Sequence, residues 1–225
     1  MPAPSPAPNP SARLIEPQQD RSHESTRRLL DAAAELVAER GYAEATVAEI
    51  GKRAGYSRGL VSARFGSKEN LMWALVQRAS DTWFPKLLDP PRRGSARDQL
   101  LALVRTIGDQ VARDPEALRV LERLIFEASG ELHERFVASQ QRMESSFRDI
   151  LRRGIGDGSI RDDIDVEVEA ALLVATLRGI SYQWFLYPRQ VDLVRLHEVL
   201  ADQLADRLRP PRRVRTTARA PGSGR

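Results

Sequence analysis

Apolar residues recur along this chain at spacings of three and four, the period of helices with one buried face. No convincing run of alternating β-branched residues interrupts them, so the pattern predicts an all-α fold. A first helix is expected over about residues 26–40, with Leu29, Leu30, Ala33, Leu36 and Val37 on one face, Ser25 as N-cap and Gly41 as terminator. Thr46 caps a second helix; Glu49 completes a capping box, and Val47, Ile50 and Ala54 turn inward. Gly55 turns the chain, Ser57 caps a short helix ending near Phe65, and Ser67 caps a helix opening Lys68-Glu69-Asn70-Leu71. Further helices are expected at about 95–113, 115–129, 131–153, 166–187 and 190–208. Pro115 suits a first helical turn, residues 154–165 read as a loop, and Pro188 divides the last two helices.

A helix, a tight glycine turn and a second short helix form the arrangement that lays the second helix in the DNA major groove while the first crosses the backbone. Val61 and Phe65, four apart and apolar, anchor that second helix to the core. Its other face offers Arg58, Gly59, Ser62 and Ala63, with Leu60 and Arg64 at the edges. Arg58 suits a guanine or a phosphate; Gly59 and Ala63 permit close approach, and the Ala63 methyl suits a thymine methyl. Thr46, Ser57, Ser62 and Lys68 stand at helix starts or turns, where hydroxyls, amides and an ammonium can grip phosphates.

Composition narrows the class. The chain has 225 residues, 41% hydrophobic and 29% charged, enough for a sizeable core. Its net charge of +4 is largely a property of the end, where Arg209, Arg212, Arg213, Arg215, Arg219 and Arg225 lie in a segment without acids. On the slightly acidic remainder, Lys52, Arg53, Arg58, Arg64 and Lys68 stand against Glu49 alone between residues 46 and 68, a local basic patch. Residues 1–22 alternate proline with small residues and read as a disordered arm; residues 210–225 read as a disordered basic tail.

There is no cysteine, which excludes a disulfide scaffold, a thiolate zinc site and a cysteine nucleophile. The apolar run at 170–177 is too short to span a bilayer, and no secretion signal is visible, so a cytoplasmic protein without a membrane partner is expected. His23, His133 and His197 are isolated, so no metal site is expected, and Asp162-Asp163 reads as a helix-start signal. Gly154, Gly156 and Gly158 follow no strand and precede no Gly-Lys-Ser/Thr, which argues against a phosphate loop. No nucleophile elbow is present, and neither enzymatic activity nor a cofactor is expected.

Thr26 to Leu75 resembles the N-terminal domain of the TetR family of transcriptional regulators. The landmarks are the Ala-rich first helix with Leu36, its Glu39-Arg40-Gly41-Tyr42 end, Thr46, Val47 and Ile50, then Ala54-Gly55-Tyr56-Ser57, Val61, Phe65, Ser67-Lys68-Glu69 and Leu71. Ser62 stands where the family usually has a phosphate-contacting tyrosine, and Arg64 where it has histidine or tyrosine. The resemblance implies a DNA-binding domain over 23–70 and a helical effector-binding and dimerisation domain over 71–209. It also implies that the last two helices build a homodimer.

Those two helices carry a stripe of Leu172, Ala175, Thr176, Gly179, Ile180 and Gln183 and a stripe of Leu193, Leu196, Leu200 and Leu204. Such surplus apolar surface is what dimers bury. The resemblance further implies an effector pocket in the C-terminal bundle. Its candidate lining residues are Trp73, Trp83, Phe84, Phe126 and Phe136, together with Met143, Phe147, Tyr182 and Trp184. Few charges fall on the apolar faces, which favours a hydrophobic or aromatic effector; Arg105 or Arg178 would serve an acidic one. The implied function is a repressor that binds a palindromic operator in double-stranded DNA and is released when a small hydrophobic effector shifts the population of states. The alternative is a DNA-binding regulator without an effector, controlled by a protein partner.

Overall fold

A computed structural model describes residues 12–83 and 94–211, with the side chains of 12–20 and 81–83 left aside. Among the described residues the chain forms helices α1 (Ala12–Arg40), α2 (Val47–Ala54), α3 (Arg58–Phe65), α4 (Lys68–Trp83) and α5 (Ala96–Arg113). They continue as α6 (Pro115–Glu127), α7 (Gly130–Gly156), α8 (Val166–Leu186) and α9 (Leu193–Arg207). No strand occurs among them.

Local chemistry sets most boundaries. Thr46, Ser57 and Ser95 each accept a backbone N–H from the first turn of the helix they cap, at Glu49, Leu60 and Asp98. Asp114, Asp165 and Asp192 cap α6, α8 and α9 in the same way. Between α2 and α3, Gly55 adopts φ 79°, a left-handed turn that side chains resist. The Tyr56 N–H then returns to the Gly51 carbonyl at 2.8 Å.

Two expected boundaries move. Helix α1 starts at Ala12, so residues 12–22 are helical rather than an extended arm, and Ser25 lies inside the helix instead of capping it. The Ser25 hydroxyl donates to the Ser22 carbonyl at 3.0 Å. Extending a packed helix backwards costs far less than nucleating one, and the helix continues through Pro17, which opposes it by removing an N–H. Helix α7 runs on to Gly156, through the first glycines of the expected loop. Gly154 is kept in the helix because Ile160 folds against it; a Cβ there would stand 2.4 Å from the Ile160 Cδ1. The rest of the expected tails, residues 1–11 and 212–225, lies outside the described residues.

Two cores form. One gathers Leu29, Ala33 and Leu36 of α1 with Ile50, Val61, Leu71 and Met72, and extends to Val120 and Leu124 of α6 and Leu132 of α7. The first four helices are therefore welded to the rest of the chain through α4, α6 and α7. The other core joins α5, α7, α8 and α9 around Leu100, Val104, Phe147, Leu151, Leu173 and Leu204. Helix α6 supplies both, with Leu118 facing the second.

Candidate nucleic-acid interface and effector cavity

Helix α3 is pinned by buried Val61 and half-buried Phe65. That leaves Arg58, Gly59, Ser62 and Ala63 exposed on its other side, with Leu60 half-buried at the edge. Thr46, Lys52 and Ser57 are exposed beside it. The hydroxyls of Thr46 and Ser57 accept backbone N–H groups at 3.2 Å, which fixes the two helix starts.

The remaining basic residues are engaged within the chain. Arg64 Nη1 donates to the Ser22 carbonyl at 2.7 Å and to the Thr26 hydroxyl at 2.6 Å, tying α3 to α1. Lys68 Nζ donates to the Tyr42 carbonyl at 2.6 Å and lies 4.0 Å above the Tyr42 ring. Burial pulls its ammonium below the ordinary lysine value. Arg53 pairs with Glu39 at 2.7 Å and braces α2 on α1. The basic patch expected between residues 46 and 68 thus narrows to Lys52 and Arg58 as cations turned to solvent; Arg53, Arg64 and Lys68 hold the unit together. Long side chains near helix ends found carbonyls and carboxylates close by, which residue spacing does not reveal.

A cavity of about 380 Å³ lies among α4, α5, α6, α7 and α8. Trp73, Phe136 and Met143 line it, and the Trp73 and Phe136 rings meet edge to face with centroids 5.9 Å apart. Ile107, Val111, Leu118, Leu121 and Ile125 complete the apolar wall; their part in it was hidden among ordinary core positions of α5 and α6. Other candidates fall elsewhere. Phe147 and Trp184 are buried in the core away from the wall. Phe126, 59% exposed, meets the exposed Tyr182 ring at a tilt of 50° with centroids 5.1 Å apart. Helices α6 and α8 turn these two aromatics outward, so they do not line this cavity. The Trp83 side chain and Phe84 lie outside the described residues. Arg105 pairs with Asp202 at 2.7 Å between α5 and α9, whereas Arg178 reaches the cavity.

Helix α6 divides this cavity from a more open cleft of about 680 Å³ against α1 and α4; Val76 and Leu121 border both. The end of α6 grips the first unit directly. Arg123 Nη1 donates to the Val37 carbonyl at 3.2 Å, and Glu127 accepts the Tyr42 N–H at 2.6 Å.

On α8, Leu172, Ala175, Thr176, Gly179 and Gln183 are exposed, with Ile180 half-buried. On α9 only Leu196 of the expected stripe is exposed; Leu193, Leu200 and Leu204 are buried against the chain's own α5. Gly108 permits this packing, since a Cβ there would stand 2.5 Å from the His197 Cβ. Leu193, Leu200 and Leu204 are therefore internal core rather than free surface, and Leu196 alone of that stripe faces outward.

Residues 29–75 match the model of bacterial regulatory proteins of the TetR family, and residues 96–209 match that of the C-terminal domain of BetI-type transcriptional repressors. The chain belongs to the TetR family of transcriptional regulators, a family of regulators rather than enzymes. It is 32% identical to the HTH-type transcriptional repressor KstR2 of Rhodococcus jostii over 75% of this chain and 84% of that one. It is 23% identical to the fatty acid metabolism regulator protein of Bacillus subtilis over 78% and 91%. Among solved structures, FadR from Bacillus subtilis in complex with stearoyl-CoA superposes with a TM-score of 0.71 at 22% identity, over 81% and 98% of the two chains. The complex of SmeT with triclosan does so with a TM-score of 0.71 at 24% identity, over 88% and 97%; SmeT is the repressor of a Stenotrophomonas maltophilia multidrug efflux pump. Among the described residues no helix is long and apolar enough to cross a membrane.

Proposed function

We propose that this chain is a homodimeric repressor that binds a palindromic operator through α2 and α3 and releases it when a small, largely apolar molecule enters the α4–α8 cavity. One observation carries the reading. Helix α6 lines the cavity with Leu118, Leu121 and Ile125, and holds the α1–α2 corner with Arg123 and Glu127. A ligand that favours one position of α6 would thereby favour one position of the DNA-reading unit, and a shift in population follows from that difference in affinity. The cleft across α6 gives the helix room to move. Two-fold pairing through the exposed face of α8 sets two α3 helices on one palindrome.

The test is fluorescence anisotropy of the protein on DNA from the region upstream of its own gene, against scrambled DNA, at two salt concentrations. Phosphate contacts alone give binding that vanishes with salt, whereas base readout leaves a preference. A preference of roughly a hundredfold or more at the higher salt supports the reading, since specific sites typically exceed non-specific ones by that much or more. Equal binding to both DNAs overturns it. Specific binding that no small molecule reverses favours control by a protein partner instead.

A further inference from the structure

We infer that the α4–α8 cavity takes an amphipathic anion: an aliphatic or aromatic chain ending in a carboxylate, with that carboxylate on Arg178. The inference rests on the effector reading above and adds the chemical class of the ligand.

The first support is the charge on the walls. Apart from its apolar lining, the cavity presents the neutral polar side chains of Gln77, Ser80, Ser139, Gln140 and Ser181. Among the described residues the charged ones that line it are Arg142 and Arg178, and no acid does. A cationic ligand would meet two guanidiniums on the described wall, where the nearby acid, Glu122, is already paired with Arg178.

The second support is the state of Arg178. Its Nη2 donates to Glu122 Oε2 at 2.9 Å, an ion pair between α8 and α6. Glu122 is 0% exposed, and its Oε1 has no hydrogen-bond partner. Burial pushes the Glu122 carboxyl above the usual carboxylate range, against the pull of Arg178. The pair engages one oxygen of Glu122 and one nitrogen of Arg178, so the guanidinium keeps unspent donors beside an apolar wall, where unmet polar groups are costly. A guanidinium carries several donors, and Arg178 spends one on Glu122. A ligand carboxylate would take the others in a bidentate pair. An uncharged chain could fill the wall but would desolvate the remaining donors of Arg178 without bonding them.

The third support is size. At about 380 Å³ the cavity is near the small end of ligand sites, which run from about 300 to 1,000 Å³. A single chain with one charged end fits that space and matches the division between the apolar wall and Arg178.

Isothermal titration with decanoate and with decan-1-ol tests the inference on the full chain. These probes share a chain and differ in the head group. Decanoate is expected to bind about ten- to a hundredfold more tightly, the scale of a charge-assisted hydrogen-bonded contact. R178Q alone would strand a buried carboxylate, so the variant used is the double substitution R178Q/E122Q, which removes both charges, is isosteric at residue 122 and shortens the side chain at residue 178. It should lose the preference while its affinity for decan-1-ol stays close to that of the original chain. E122Q alone, which leaves Arg178 with less counter-charge, should bind decanoate at least as tightly as the original chain. Equal affinity for the two probes, or a preference that survives in R178Q/E122Q, overturns the inference and leaves an apolar effector site standing. Binding of neither probe overturns both the inference and the cavity as an effector site. Decanoate that binds through Arg178 without releasing operator DNA supports the anion site and overturns the proposed induction.

Discussion

The Glu127 carboxylate accepts the Tyr42 N–H at 2.6 Å and fills the space beside Gly41, where an added Cβ would stand 2.6 Å from the same Oε2. The end of α6 thus closes on the terminator of α1, and Gly41 holds φ 86°, a left-handed conformation in which a side chain costs about 1–2 kcal/mol. G41A should pay that cost and also push Glu127 away from Tyr42. Chemical denaturation is expected to show a loss of about 2–3 kcal/mol, well beyond the roughly 0.5 kcal/mol of an ordinary surface substitution. A loss within that smaller range would mean that the Glu127 side chain swings aside freely and that this contact transmits little between the two units.

Arg58 and Arg64 share helix α3 but have different surroundings, and their removal should have different effects. Arg58 is exposed and has no ion pair or hydrogen bond among the described contacts, while Arg64 is spent on Ser22 and Thr26. R58A is expected to lower affinity for the operator by about 1–3 kcal/mol and to blunt its preference over scrambled DNA. R64A loosens α3 from α1, so it should weaken binding to both DNAs and leave their ratio close to the original. Anisotropy titrations on the two DNAs with each variant measure this directly. A larger loss of preference in R64A than in R58A would reverse the assignment.

Much of the reading unit was legible in the sequence because its signals are local. Thr46, Ser57, Gly41 and Gly55 punctuate the chain within a few residues of the bonds they make, and Val61 and Phe65 declare the buried side of α3 by their spacing. The partners of Arg64, Lys68 and Glu127 were not legible, because each reaches across 26 to 85 residues. Which apolar residues line the cavity was only partly legible for a related reason: Trp73, Phe136 and Met143 do, while others of the same period do not. A helical period shows that Phe126, Phe147 and Tyr182 are apolar positions, but not which of several packed neighbours each one faces. Glu122 left a readable trace, an acid on the same stripe as Leu118, Leu121 and Ile125, where a surface helix would carry an apolar residue.

His197 gives the fold an acid sensitivity with a definite sign. The ring is buried, its Nδ1 lies 2.7 Å from the Leu193 carbonyl, and Gly108 presses on its Cβ. Burial lowers its folded pKa below the ordinary 6.5, with the Leu193 carbonyl and Asp109 pulling the other way. The unfolded chain therefore binds the proton first. The stability that His197 contributes is full above 6.5 and is lost as the pH falls from there through the folded value. H197L removes the titration, and its stability curve should be flatter than that of the original chain between neutrality and about pH 5, the range in which histidine titrates. Urea denaturation across that range checks it. Parallel curves would show that His197 does not carry the pH dependence.

The face of α8 and the leucines of α9 invite a paired test of the homodimer. Leu172 is 47% exposed and sits among Ala175, Thr176 and Gly179 on a helix face that no other part of the described chain covers. Leu200 is buried with Leu204 against α5. A charge at the first site enters water in the isolated protomer and becomes costly only when a second copy closes over it. A charge at the second site is costly in every state of the chain. L172K should therefore keep the helical circular-dichroism signal and sediment as a monomer, with operator affinity falling steeply because one reading head has lost its twin. L200K should lose stability by several kcal/mol, on the scale of an unpaired buried charge, and should unfold before its assembly can be measured. If L172K still sediments as a dimer, the pairing surface lies elsewhere; the exposed pair Phe126 and Tyr182 would be the next face to charge, since it is an exposed aromatic surface formed by α6 and α8.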